Sequence, residues 1–146
     1  MAKPKLSPII KAQREALKKE IKKTLRVATE VAINFFKDSF KQQGFLDRRV
    51  KKWKPRKQKS TTNRAILVKS GKLRRSIATK KINASRGRAV IGILGKAGVY
   101  AGVHNFGLKA GRGKGFTMPK RQFMGDSHKL NKKIKRLIRK RLNKKF

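Results

Sequence analysis

The segment from Ser7 to Gly44, SPIIKAQREALKKEIKKTLRVATEVAINFFKDSFKQQG, decides the fold because it predicts one long amphipathic helix. Ser7 followed by Pro8 is a favourable helix start, and Gly44 is a natural stop. Between them the only proline is Pro8 and there is no glycine. Apolar or small residues recur every three or four positions along the segment, at Leu17, Ile21, Thr24, Ala28, Val31 and Phe35, and later at Leu25, Ala32, Phe36 and Phe40.

The helix predicted over residues 7–43 is long for a chain of 146 residues. About 36 residues give a length of roughly 54 Å, whereas a compact domain of this size has a radius of gyration of about 15 Å. Two outcomes remain open. Either the helix breaks, or its basic first half, residues 11–23, extends to a partner.

The middle of the chain predicts a basic connector followed by a small sheet. Residues 45–64 carry many lysines and arginines around Trp53 and form the connector, with an exposed loop at residues 58–63. Residues 65–125 hold the sheet and its loops. The runs 76–83 and 89–94, separated by turn-forming residues, predict an antiparallel hairpin. Residues 99–106 fit a strand or a helix, and residues 107–115, with four glycines, predict a mobile loop.

A second amphipathic helix is predicted at the end of the chain, over residues 126–146. Asp126 or Ser127 is the expected cap, and the apolar stripe comprises Leu130, Ile134, Leu137, Ile138 and Leu142. The whole chain, residues 1–146, is therefore expected to form a single α+β domain. It would contain a long N-terminal helix, a small antiparallel sheet and a C-terminal amphipathic helix.

The charge of the chain points to an acidic partner. The 44 lysines and arginines against 6 acidic residues give a net charge of 44 − 6 = +38. Residues 51–146 contain 31 of these basic residues and a single acidic residue, Asp126. Such a charge opposes compaction unless something offsets it. Nucleic acid, an anionic membrane and an acidic protein surface are the three classes of partner that would do so.

Several function classes are disfavoured by what the sequence lacks. It has no cysteine, no apolar run of membrane-spanning length and no secretory signal pattern. Its few carboxylates are dispersed, and His104 and His128 are isolated, so we predict neither an enzyme nor a metal site. The Gly71-Lys72 pair lacks the first glycine of a phosphate-binding loop. We therefore expect no cofactor, no small-molecule substrate and no membrane partner.

Basic residues in the last third of the chain are the candidates for contact with DNA or an acidic partner. Few aromatic residues lie between them, so contact with phosphates is favoured over stacking on exposed bases. Six residues carry this prediction, three in the glycine-rich loop and three in the C-terminal helix: Lys109, Arg112, Lys114, Lys132, Arg136 and Arg139.

Four short motifs occur in an order that resembles the virion-morphogenesis, or tail-completion, family of tailed phages. They follow Phe35-Phe36, near the end of the predicted long helix, and are Trp53-x-Pro55, the segment ILVKSGKLRRSI at 66–77, the segment YAGVHNFG at 100–107, and the segment MPKRQFMG at 118–125. The resemblance covers roughly residues 35–125. It implies a small α+β protein without enzymatic activity. The motif residues then serve as core or subunit contacts: Trp53, Leu73, Tyr100, Phe106, Arg121 and Phe123.

The resemblance also implies a place in the virion, at the head-to-tail junction or the top of the tail. The protein would form a ring there with other neck or tail proteins, after assembly in the host cytoplasm. Six copies would match tail symmetry, and twelve would match the portal side. The basic surface would meet genomic DNA or an acidic neighbouring ring. The alternative suggested by charge alone is a nucleic-acid-binding protein of ribosomal or nucleoid type.

Overall fold

The computed structural model of the chain describes residues 7–57 and 63–144. Over these residues the fold is α+β, as predicted, with long helices at both ends and short antiparallel strands between them. The helices are α1 (Pro8–Gln42), α2 (Lys72–Arg75), α3 (Gly98–Phe106) and α4 (His128–Asn143), and a 3₁₀ turn covers Gly95–Ala97. The strands are β1 (Gly44–Leu46), β2 (Val50–Lys52), β3 (Ile77–Asn83), β4 (Arg88–Ile93), β5 (Lys109–Ala110) and β6 (Phe116–Thr117).

Parts of the sequence-based expectations lie outside the described residues. These are the N-terminal segment 1–6, most of the loop expected at 58–63, and the last two residues of the helix expected over 126–146.

Helix α1 is unbroken and begins as predicted, but it ends through a different residue. The hydroxyl of Ser7 accepts a hydrogen bond from the Ile10 backbone N–H at 3.4 Å. At the other end Gln43, not Gly44, takes the left-handed conformation, with φ 51° and ψ 42°. Gly44 starts β1 instead, where a Cβ atom would lie 2.6 Å from the carbonyl oxygen of Lys51. Glycine is needed there for close strand pairing rather than for helix termination.

The predicted small sheet is three separate two-stranded hairpins. The expected pair is β3 with β4, in which Ile77 lies opposite Ile93. Strands β1 and β2 pair at the start of the region expected to be a basic connector. Strand β5 lies in the glycine-rich segment expected to be a loop and pairs with β6 directly after it. Strands of two or three residues are too short to show an alternating pattern, which explains why sequence periodicity missed them.

An aromatic cluster forms the centre of the core. The Phe40 ring packs edge-on against Trp53, with centroids 5.6 Å apart, and against Phe123 at 5.2 Å. These rings come from α1, the segment after β2, and the segment before α4, so the cluster joins distant parts of the chain. The other buried residues of the core are Ala32, Phe36, Phe45, Leu73, Ile77, Ala97, Ala101 and Leu130.

Helix α4 packs back along α1, with its start held near the C-terminal end of α1. The buried hydroxyl of Ser127 donates to the carbonyl oxygen of Leu46 at 2.8 Å and accepts from the Leu130 N–H at 3.2 Å. Near the other end, Arg141 forms an ion pair with Glu20 at 3.8 Å. Residues 8–19 of α1 precede this pair and are almost all exposed. The long helix therefore extends beyond α4 rather than breaking.

Candidate assembly surface

The side chain of Asn105 on α3 binds two motifs of the sequence together. Its Oδ1 accepts hydrogen bonds from the backbone N–H groups of Phe123 at 2.9 Å and Met124 at 3.0 Å. Its Nδ2 donates to the carbonyl oxygen of Met124 at 3.1 Å. The motif at 100–107 thus holds the motif at 118–125, and Phe123 is placed in the core next to Phe40.

Trp53 and Arg121 add the first motif to this junction. The indole Nε1–H of Trp53 donates to the carbonyl oxygen of Gln122 at 2.7 Å. The guanidinium of Arg121 donates to the carbonyl oxygen of Lys54 through two nitrogens, at 3.2 and 3.3 Å. Burial and, second, the nearby charge of Arg56 lower the pKa of Arg121. Both side chains are buried and serve the internal junction, so they leave little surface for a ligand.

His104 lies beside this junction on the outer part of α3. Its ring packs edge-on against Tyr100, with centroids 6.1 Å apart. Burial and, second, the charge of Arg121 lower the pKa of His104, because both disfavour the protonated ring. The Nδ1 atom is enclosed and has no hydrogen-bond partner in the part of the chain that the structure describes. These features describe a neutral packing histidine.

Around α3 lies a set of exposed apolar side chains, called here the α3 ridge. Val99 is 85% exposed, Phe106 63% and Phe116 60%. The positions expected to be core or contact residues thus divide: Trp53, Leu73 and Phe123 are buried, whereas Tyr100 and Phe106 face outward. The α3 ridge comprises Leu94, Val99, Tyr100, Phe106, Leu108 and Phe116.

The α3 ridge coincides with the least charged stretch of the chain. Residues 89–108 contain one charged side chain, Lys96, although nearly a third of the chain's 146 residues are lysine or arginine. Sequence reasoning singled out Tyr100 and Phe106 but missed this gap in the charge. A window with one charge in so basic a chain is the sequence signal for this surface, and it includes every ridge residue except Phe116.

A groove of about 560 Å³ runs beside the α3 ridge. One wall is α3 itself, where Gly98 and Gly102 leave the backbone open, and another is formed by Lys80 and Gly92 of the β3–β4 hairpin. Phe106 lies at its edge, and Met124 and Lys120 close the remaining side. A contact between unlike surfaces of two copies needs a projecting surface and a recessed one, and the α3 ridge and this groove are such surfaces.

The six basic residues singled out from sequence lie on two separate elements. Lys132, Arg136 and Arg139 follow one face of α4 at spacings of four and three residues and share a groove of about 600 Å³, called here the α4 basic groove. His128, Asn131 and Lys135 complete it. Lys109, Arg112 and Lys114 belong to the β5–β6 hairpin and do not line this groove.

Four of the carboxylates make hydrogen bonds or ion pairs within the fold. Asp47 accepts a hydrogen bond from the His128 N–H at the start of α4 at 2.9 Å, and this bond is the main cause of its lowered pKa. Asp126 accepts from the Asn131 side chain at 2.7 Å, and Glu15 and Asp38 pair with lysines one turn away. Within residues 7–57 and 63–144, no three His, Cys, Asp or Glu side chains are grouped to hold a metal ion.

The comparison with protein families decides the identity. A model of the phage virion morphogenesis family matches residues 4–143, nearly the whole chain and more than the motifs alone cover. The chain belongs to the phage virion morphogenesis family. This virion morphogenesis protein therefore has a structural or assembly role in a phage. No curated protein and no solved structure matches it significantly. Among the described residues of this virion morphogenesis protein, no helix has the length and apolar character to span a bilayer.

Proposed function

We propose that this virion morphogenesis protein forms a ring that completes the tail or neck at the head-to-tail junction. The α3 ridge carries the proposal, because it gives a strongly basic chain a surface with few like charges on which copies can meet. The ring lies between other neck and tail proteins in the virion and acts without catalysis. Six copies are favoured by tail symmetry, and a twelve-membered ring corresponds to a place nearer the portal.

In the proposed contact, the α3 ridge of one copy enters the groove beside α3 of the next. A closed ring of more than two copies needs two different, complementary surfaces on each subunit, because a self-complementary patch gives only a dimer. Val99 and Tyr100 of the ridge and Gly92 and Met124 of the groove are separate sets of residues that supply such a pair, and Phe106 lies at the boundary between them. With a Debye length near 8 Å at physiological salt, contact through any lysine-rich face would bring unscreened like charges together.

The test is a double substitution on the ridge, Val99→Ser with Phe106→Ser. Both side chains are more than 60% exposed, so the monomer should remain folded. We expect native mass spectrometry and sedimentation to show oligomers for the parent chain and monomers for the variant. Val50→Ser, which alters another exposed apolar residue on β2, is the control and should retain the oligomer. An unchanged oligomer in the double variant would contradict the proposed contact.

A second candidate function, non-specific nucleic-acid binding of ribosomal or nucleoid type, is favoured by the α4 basic groove. Its cations are exposed and aligned along one helix face, which suits phosphates without base reading. In the ring proposal the same groove meets DNA in the channel or acidic residues of the next ring. Presence of the protein in purified particles separates the two functions, since only a virion component is retained there.

A further inference from the structure

The outer part of α1 presents an apolar stripe that no other described element covers. Helix α4 packs on α1 as far as Glu20, which is buried beside Arg141. The same face of α1 continues toward its start through Leu17, 40% exposed, and Ile10, 50% exposed. These positions follow helical spacing with the buried Thr24 and Ala28. The stripe that is buried in one half of the helix is therefore open in the other half.

A groove of about 630 Å³ lies between α4 and α1, and Glu20, one turn after Leu17, is the α1 residue among those that line it. Leu137 and Glu20 line it, together with lysine and arginine side chains of α4. Leu137 is the one apolar residue that lines the groove. Most of the exposed lining is nevertheless apolar, because the methylene stems of the lysine and arginine side chains supply much of it. The charged ends surround the groove, and they belong to Lys133, Arg136, Lys140, Arg141 and Lys144.

Charge selects the occupant of this site. Five cations against one carboxylate, itself paired with Arg141, make the rim strongly positive. A second copy cannot supply the complement, because α1 carries 9 basic and 4 acidic residues, net +5, and α4 carries 8 basic and none acidic, net +8. The phosphate backbone of a nucleic acid has the right charge but no apolar face for Ile10, Leu17 and Leu137.

We propose that the open stripe and the adjoining groove, together called the α1–α4 cleft, bind an acidic amphipathic helix of another protein. Its apolar face packs on Ile10, Leu17 and Leu137, as in other helix-in-groove contacts. Its carboxylates lie against Lys133, Lys140 and Lys144, which fixes orientation and speeds association. The proposal is independent of ring formation through the α3 ridge, because the two surfaces share no residue.

The experiment uses a synthetic, fluorescently labelled helix of about 18 residues, with leucine at every third or fourth position and glutamate at most others. A scrambled peptide of the same composition has the same charge but no apolar face. Binding is measured by anisotropy in about 0.5 M salt, where the Debye length falls to about 4 Å and charge alone contributes little. We expect the amphipathic peptide to bind the full chain at least tenfold more tightly than the scrambled one, a difference of about 1.4 kcal/mol.

Two variants locate the binding. Ile10→Ser with Leu17→Ser removes exposed apolar side chains, so the fold should persist. We expect this double variant to bind the amphipathic peptide about tenfold more weakly and to bind the scrambled peptide as the parent chain does. Leu94→Ser on the α3 ridge is the matched control and should bind normally. Equal binding of the scrambled peptide, or an unchanged affinity in the double variant, would overturn the proposal.

Two further results would also overturn it by assigning the cleft to another occupant. The first is competition by DNA: a 20-base-pair duplex displaces the peptide from the parent chain and binds the double variant more weakly. That result would assign the cleft to nucleic acid. The other is dissociation of the oligomer in the double variant without any peptide, which would assign the cleft to a second copy. Ring failure in the α3 ridge variant with intact peptide binding leaves this proposal standing.

Discussion

At the scale of single residues, Asn105 explains why two motifs separated by ten residues occur together. One buried amide satisfies two backbone N–H groups and one carbonyl group of residues 123–124. No other side chain of similar size offers an acceptor and a donor in this arrangement without a charge. The motif residues in this junction thus serve folding, and the surfaces for assembly lie on their outer side.

Asn105→Ala tests this role. The substitution leaves two N–H groups without an acceptor in a buried site, so we expect the free energy of unfolding to fall by about 2–4 kcal/mol. Chemical denaturation followed by tryptophan fluorescence measures the change, since Trp53 donates to Gln122 in the same junction. Lys96→Ala, an exposed change shortly before α3, is the control. A loss no larger than that of the control would refute the role assigned to Asn105.

His104 gives the fold a dependence on pH. Because the pKa of His104 is lowered in the fold, the unfolded chain takes up the proton first as pH falls through about 6.5. The stabilisation is therefore complete above that pH and declines below it, toward the folded pKa. We expect the denaturation midpoint to fall between about pH 7.5 and 5.5 in the parent chain and less so in His104→Gln. An equal fall of the midpoint in His104→Gln and in the parent chain would contradict this role.

At the scale of elements, regular patterns were predictable and short elements were not. The start of α1, the β3–β4 hairpin and α4 follow from a cap residue, β-branched runs and an apolar stripe. The sequence left α3 open between strand and helix, because Gly98 and Gly102 weaken both preferences. Its helical state depends on tertiary contacts, mainly burial of Ala101 and Asn105. The position of the α3 ridge was signalled by the gap in charge over residues 89–108, but the exposure of its side chains is a property of the folded chain.

One glycine within α3 and another directly after it provide a matched pair of substitutions. A Cβ atom on Gly102, within α3, would meet nothing within 4 Å, so Gly102→Ala should stabilise the fold by about 0.5–1 kcal/mol. Gly107 ends the helix with φ 72°, and a Cβ atom there would lie 3.0 Å from the backbone of Lys120. Gly107→Ala should therefore destabilise by about 1–2 kcal/mol. Thermal denaturation of the two variants should shift in opposite directions, and shifts of the same sign would contradict this account.

At the scale of the whole molecule, most cations are exposed and the core is apolar, although the two alternate along the chain. The aromatic core lies where α1, the hairpins and residues 118–127 meet, whereas the outer half of α1 and the exposed face of α4 carry dense positive charge. The six carboxylates cannot neutralise 44 cations, so the repulsion persists in the folded chain. A partner of opposite charge would therefore add to the stability of an assembly as well as to its specificity.

The α4 basic groove should be where this charge acts on DNA or on an acidic neighbour. Charge reversal of Lys132, Arg136 and Arg139 to glutamate is expected to weaken particle assembly or genome retention, and raised salt should mimic it. Neutralising the same three residues with glutamine should lower the salt dependence of DNA binding, the slope of log K against log salt, by about three. Reversal of Lys81, Arg86 and Arg88, exposed on the β3–β4 hairpin, gives the same change in net charge and is the control. The two triple variants differ in the position of the changed charges and not in their number. If both assemble and retain DNA equally well, the groove has no special role, and the cations of α4 serve only to keep the helix solvated.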